Sequence, residues 1–122
     1  PAALHTLAAS EPGANDIYMN LKRQLTAGAL EETDKYLVAI AVAASEGSAS
    51  ATAFLSEAAQ KAGATPQQTL DAVSVSAVCQ IYNGYYSFRD LVEGDDFESY
   101  RAPFNANSFM KSSLSPAQVE LI

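Results

Sequence analysis

The sequence predicts an all-α protein, and three observations carry that prediction. No segment alternates apolar and polar residues as a strand would. Val, Ile and Leu recur at helical spacing instead, and helix-start and helix-stop signals punctuate the chain, most clearly at Thr65-Pro66-Gln67-Gln68. There Thr65 is a good N-cap, Pro66 suits the first helical position, and Gln68, three residues after the cap, completes a capping box. From Leu70 to Tyr82 the residues are nearly all apolar or small, and the one charge, Asp71, lies in the first turn, where the helix dipole favours it. A helix apolar on nearly all sides has neighbours on more than one face. The reading is a long central helix packed by neighbouring antiparallel helices, with Ala72, Ser74, Ser76 and Ala77 allowing close approach. Asn83-Gly84 is expected to interrupt it, and Tyr85, Tyr86, Phe88, Leu91 and Val92 to open a second apolar face.

The other elements follow in chain order. Residues 2–9 read as a short helix ended by Glu11-Pro12-Gly13. Asn15 or Asp16 then caps a helix with an inward face of Ile17, Met19 or Asn20, Leu21 and Leu25, closed near Gly28. A third helix runs from about Leu30 to Glu46, with acidic Glu31, Glu32 and Asp34 in its first turn and Leu37, Val38, Ile40, Ala41, Val42 and Ala44 buried. Gly47 breaks the chain, and Ser48 is the expected cap of a helix reaching Ala62. In that helix Phe54, Leu55, Ala58 and Ala59 face inward, while Glu57, Gln60 and Lys61 face water. Residues 93–108 read as an acidic loop pinned by Phe97, Tyr100 and Phe104, with a short helix near Asn105 to Lys111. At the end, Ser115-Pro116-Ala117-Gln118 repeats the capping-box device before Val119, Leu121 and Ile122.

Composition narrows the function classes. A chain of 122 residues reads as one domain, 1–122, able to bury a core without metal or disulfide staples. Apolar residues make up 48% and charged ones 17%, the balance of a folded, soluble protein. The formal charge of −7, with seven scattered Lys and Arg, argues against a nucleic-acid partner. One cysteine permits no internal disulfide and fits a reducing compartment. The longest apolar run, Tyr36 to Ala44, is about half of a membrane span. With no signal peptide in view, the expectation is a cytoplasmic protein without a membrane partner.

The segment TDKYLVAIAVAASEGSASATAFLSEAAQKAGATPQQTLDAVSVSA resembles the carboxymuconolactone decarboxylase-like family, and its AhpD-type alkylhydroperoxidases in particular. The family pattern is a helix, then a Gly before a CxxC that opens the next helix, a His four residues after the second Cys, then AGAT-P and another helix. Spacing from Gly47 to Gly63 is kept without a gap. The chemistry is not kept. The first Cys falls on Ser48, the second on Ala51, the His on Leu55, and the relay Glu twelve residues before the first Cys on Tyr36. A serine hydroxyl neither ionises near neutral pH nor forms a disulfide, so thiol peroxidase chemistry is absent from residues 48–55. The resemblance is to the first, CxxC-lacking repeat of two-repeat AhpD proteins, with 115–122 looking like the truncated start of the second. On that alignment Glu120 takes the place of the relay Glu, a proton relay only if a cysteine-bearing repeat is attached. The resemblance also implies a homo-oligomer, trimer or larger, and a thiol reductant partner protein if such a repeat exists. It implies no cofactor.

Other candidate sites each carry a plainer alternative. Tyr82, Asn83, Tyr85, Tyr86 and Arg89 have the chemistry of a pocket for a small amphipathic ligand, and equally of core or subunit-contact residues. Cys79, among Val75, Val78 and Ile81, reads as a buried, inert thiol. His5, the one histidine, reads as surface or packing. Glu93, Asp95, Asp96 and Glu98 lack the ligand order and turn glycine of an EF-hand and read as a solvated loop. No metal site follows. Three functions remain: the structural half of an AhpD-like protein of antioxidant defence, inactive by itself; a stand-alone non-enzymatic relative that oligomerises or binds a small ligand; and a cysteine-independent decarboxylase-type enzyme, for which Arg89 and Arg101 are the nearest cations.

Overall fold

The computed structural model describes residues 6, 9, 12–91 and 107–122. These form six helices, α1 (Pro12–Thr26), α2 (Glu32–Ser45), α3 (Ala49–Lys61), α4 (Pro66–Leu91), α5 (Asn107–Met110) and α6 (Pro116–Leu121), with no strand among the described residues. The all-α expectation holds, and α4, at 26 residues, is the long helix foreseen. The expected helix at 2–9 falls almost wholly outside the described residues. So do His5, Glu93, Asp95, Asp96, Phe97, Glu98, Tyr100, Arg101 and Phe104.

Local signals place the turns. At Gly47 (φ +70°) and Gly63 (φ +110°) the backbone enters the left-handed region open to glycine. After each glycine the chain closes the preceding helix with a paired hydrogen-bond pattern. Gly47 N–H donates to Ala44 and Ser48 N–H to Ala43; Gly63 N–H donates to Gln60 and Ala64 N–H to Ala59. This is the Schellman motif, which satisfies the last carbonyls of a helix. Both predicted capping boxes are present. Thr65 Oγ1 accepts from Gln68 N–H at 3.1 Å while Gln68 Oε1 accepts from Thr65 N–H at 2.9 Å, and Ser115 and Gln118 do the same for α6.

Helices α2, α3 and α4 form the body. The Thr33 hydroxyl, at the start of α2, donates to the carbonyl of Ala62, at the end of α3, at 3.1 Å, so α3 runs back along α2. Ser76 donates to the carbonyl of Ala41 at 2.9 Å, and Gln80 to that of Ser45 at 2.8 Å. The constant separation of 35 residues shows α4 running parallel to α2. The core between them is Leu37, Ile40, Ala59, Ala64, Ala72 and Val75, joined by Leu114 from the segment before α6. Close approach to α2 occurs at the buried Ala72 and Ser76, as expected, whereas Ala77 of the same predicted set is exposed.

Five expectations are corrected. Asn83-Gly84 does not interrupt α4. A mid-helix glycine costs about 1 kcal/mol relative to alanine, and the Tyr82 and Tyr86 rings, stacked at 6.0 Å, bridge the weak point from one turn to the next. The second correction concerns α1, which starts at Pro12, with φ already set for a first turn, rather than after a cap at Asn15 or Asp16. Third, α1 has no buried residue; Ile17, Met19 and Leu21 are exposed, and only Leu25 of the expected face is half-buried. Fourth, Ser48 occupies the N-cap position of α3 without a side-chain capping bond. Fifth, Val42 is 56% exposed; it borders two open cavities, one shared with Ser76 and Cys79 of α4 and one with Leu21 and Leu25 of α1, instead of packing in the core.

Candidate functional site

The four positions that the resemblance assigns to redox chemistry are spread over α2, the α2–α3 turn and α3. Ser48 leads into α3; its N–H goes to Ala43 at 2.9 Å, and its carbonyl accepts the Thr52 N–H at 2.9 Å and the Thr52 hydroxyl at 2.8 Å. Ala51, one turn into α3, is half-buried. Leu55, a further turn on, and Tyr36, near the start of α2, both pack against the core. Tyr36 also lines a small cavity of about 160 Å³ with Tyr18, Leu21 and Phe54. The frame of two helices and a glycine turn is thus intact, but its side chains are a hydroxyl, a methyl, an isobutyl group and a phenol. None is a thiolate, an imidazole or a carboxylate.

The aromatic set of α4 is brought together. Tyr82 stacks on Tyr86 at 6.0 Å and on Phe109 of α5 at 6.5 Å, and Tyr85 meets Tyr86 edge-on at 5.4 Å. The Arg89 guanidinium lies 4.7 Å from the centre of the Tyr86 ring and 3.5 Å from the Asp90 carboxylate. These contacts dock α5 on the end of α4. Asn83 is not part of the stack; it is exposed and borders a separate cavity of about 230 Å³ with Ser76, Cys79, Gln80 and Ile122. Cys79 is half-buried rather than fully buried. Glu120 is exposed on α6. Among the described residues no group of three or more His, Cys, Asp or Glu is arranged to hold a metal ion.

Two features were not legible in the sequence. One is a pair of carboxylate fastenings on the C-terminal segment. Asp71 accepts from Ser113 N–H and Ser113 Oγ, both at 2.6 Å, from Ser112 Oγ at 3.4 Å and from Gln67 at 2.9 Å. Asp34 accepts from Gln118 at 2.6 Å. Desolvation, the largest single influence on Asp71, raises its pKa, but the hydrogen bonds from Ser113, Gln67 and Ser112 together outweigh it and hold the carboxyl below its usual 3.8. The second feature is a groove of about 470 Å³ between α1 and α2, walled by Leu21, Leu25, Val38, Val42, Leu55 of α3 and Leu121 of α6, with Lys35 also among its lining residues. The position that would hold the family's histidine is therefore part of an apolar wall.

Comparison with known proteins agrees with the helical frame. Residues 12–88 match the carboxymuconolactone decarboxylase family. The alkyl hydroperoxide reductase AhpD of Anaeromyxobacter dehalogenans (strain 2CP-C) is 32% identical over 115 residues, covering 93% of this chain and 60% of the relative. That of Anaeromyxobacter sp. (strain K) is equally similar over the same shares. No solved structure matches significantly. The family match covers the body of the all-α fold, and the relatives align along nearly the whole chain. The chain belongs to the carboxymuconolactone decarboxylase family. It spans about 60% of the length of the curated relatives it matches. No helix among the described residues is long and apolar enough to cross a membrane.

Proposed function

We propose that these 122 residues are a structural unit of an AhpD-like protein of antioxidant defence, a helical scaffold without redox chemistry of its own. The observation that carries this reading is the set Tyr36, Ser48, Ala51 and Leu55: a family frame with hydrogen bonds and packing in place, and no thiol at either cysteine position. On this reading thiol-dependent peroxide reduction needs a CxxC outside these residues, with Glu120 as its proton relay and a thiol reductant protein as its electron source. Expression of the complete gene, followed by intact mass, free-thiol counting and a thiol-dependent peroxide assay, tests it. A product carrying a CxxC and reducing peroxide supports the reading. A product without a CxxC and without activity rejects it.

A second reading, a stand-alone oligomerising relative, is favoured by one face of α4. Leu70, Ala77, Ile81 and Phe88 fall within roughly 40° of one another at about 100° per residue. Leu70, Ile81 and Phe88 are 62%, 51% and 59% exposed. A continuous apolar stripe on the longest helix calls for cover, and a homo-oligomer supplies it. Sedimentation of the native chain tests this reading.

A further inference from the structure

We infer that the groove between α1 and α2 is a binding site for a medium-chain aliphatic acid, held by its chain along the groove and by its carboxylate at Lys35. This inference is independent of whether a cysteine-bearing segment exists. The volume, about 470 Å³, lies in the range of small-molecule sites, which are typically apolar with a few placed polar groups. Its walls are branched aliphatic side chains from α1, α2, α3 and α6, without an aromatic ring, which suits a flexible alkyl chain better than a flat ligand. Two of its lining residues carry polar heads, Gln24 and Lys35.

Charge selects the head group. Lys35 is half-buried and makes no ion pair among the described residues, although Glu31, Glu32 and Asp34 precede it on the same turn of chain. Glu31 and Glu32 are exposed, and the Asp34 carboxylate is engaged by Gln118 at 2.6 Å. Lys35, a lining residue of the apolar groove, thus keeps a charge without an ion-pair partner among the described residues. A ligand with a greasy body and one negative end satisfies both features, whereas an alcohol satisfies only the first and a cationic amphiphile opposes the second. The wall contributed by Leu121 ties the site to the C-terminal segment, itself fastened through Asp34 and Asp71.

Titration calorimetry of the 122-residue chain with decanoate, decan-1-ol and decyltrimethylammonium tests the assignment. Saturable binding of decanoate at one site is expected, with decan-1-ol weaker by roughly three- to tenfold, the worth of a partly exposed charge-assisted contact. Lys35→Met is expected to bring decanoate to the level of the alcohol and leave the alcohol unchanged. Val42→Asp, at an exposed position where the fold survives (checked by circular dichroism), is expected to abolish binding of both. Absence of saturable decanoate binding overturns the inference. So does equal affinity for all three probes, or decanoate binding unchanged in Lys35→Met or in Val42→Asp.

Discussion

Asp71 accepts two hydrogen bonds from Ser113, from its backbone N–H and from its hydroxyl, both at 2.6 Å. The contact joins the first turns of α4 to a residue 42 positions later. It fixes the segment that delivers Leu114 into the core and leads into α6. Removing the charge in Asp71→Asn is expected to destabilise the protein by about 1–2 kcal/mol at pH 7, at the low end for hydrogen bonds to charged groups because Asp71 is only half-buried. The Asp71 pKa is depressed on folding. Its stabilisation is therefore complete above the unfolded value and is lost as pH falls through the lower, folded one. Urea denaturation of both forms should show a difference at pH 7 that shrinks below about pH 4; a difference that grew with acid would contradict the assignment.

Ile40 is fully buried between α2 and α4. Ile40→Ala is expected to cost about 2–5 kcal/mol, the lost transfer energy plus the cavity left behind. Val42→Ala, two positions on and 56% exposed, should change the urea midpoint little. Comparable losses at both sites would mean that α2 packs on a different face.

Thr65→Ala removes the acceptor for the Gln68 N–H at the start of α4. A loss of about 1 kcal/mol is expected, and Thr65→Ser should recover most of it. Thermal unfolding of the three forms measures this directly.

The stripe on α4 makes its own prediction. If it covers a second copy, sedimentation of the native chain shows an oligomer, and Phe88→Glu or Ile81→Glu shifts it to monomer without loss of helical circular dichroism. A native monomer with the stripe open to water would remove the oligomer reading.

The α2–α3 frame can be tested by restoration. Ser48→Cys with Ala51→Cys places two thiols one turn apart at a helix start, where the dipole lowers thiol pKa and the spacing suits a disulfide. The double variant is expected to lose two titratable thiols on mild oxidation, while the native chain, with Cys79 alone, forms no internal disulfide. If the paired thiols remain titratable after oxidation, the turn does not keep the family geometry.

Much of this was legible in the residues. The helix boundaries marked by Thr65-Pro66 and Ser115-Pro116 and the turns at Gly47 and Gly63 are all readable from a few neighbouring positions. The reading failed at Asn83-Gly84, where propensity argued for a break and the Tyr82–Tyr86 stack held the helix together. It failed at Val42 and Ile17, which have the hydrophobicity of core residues and are nonetheless exposed. Of the set Tyr82, Asn83, Tyr85, Tyr86 and Arg89, the structure stacks the tyrosines and Arg89 and leaves Asn83 at a separate cavity, while the partner Phe109 gave no signal in the sequence. The Lys35 groove gave no signal, because its walls come from four helices and each contributes an ordinary aliphatic side chain.

The sequence by itself determined the all-α class, the two capping boxes and the glycine turns at Gly47 and Gly63, since each depends on hydrogen bonds or backbone freedom within about five positions along the chain. Only the tertiary structure decided which apolar faces are buried, where Asp71 and Asp34 fasten the C-terminal segment, and that Leu55 lines an apolar groove. Burial and hydrogen bonding across the fold depend on what stands opposite in space, and a side chain carries no record of its distant neighbour.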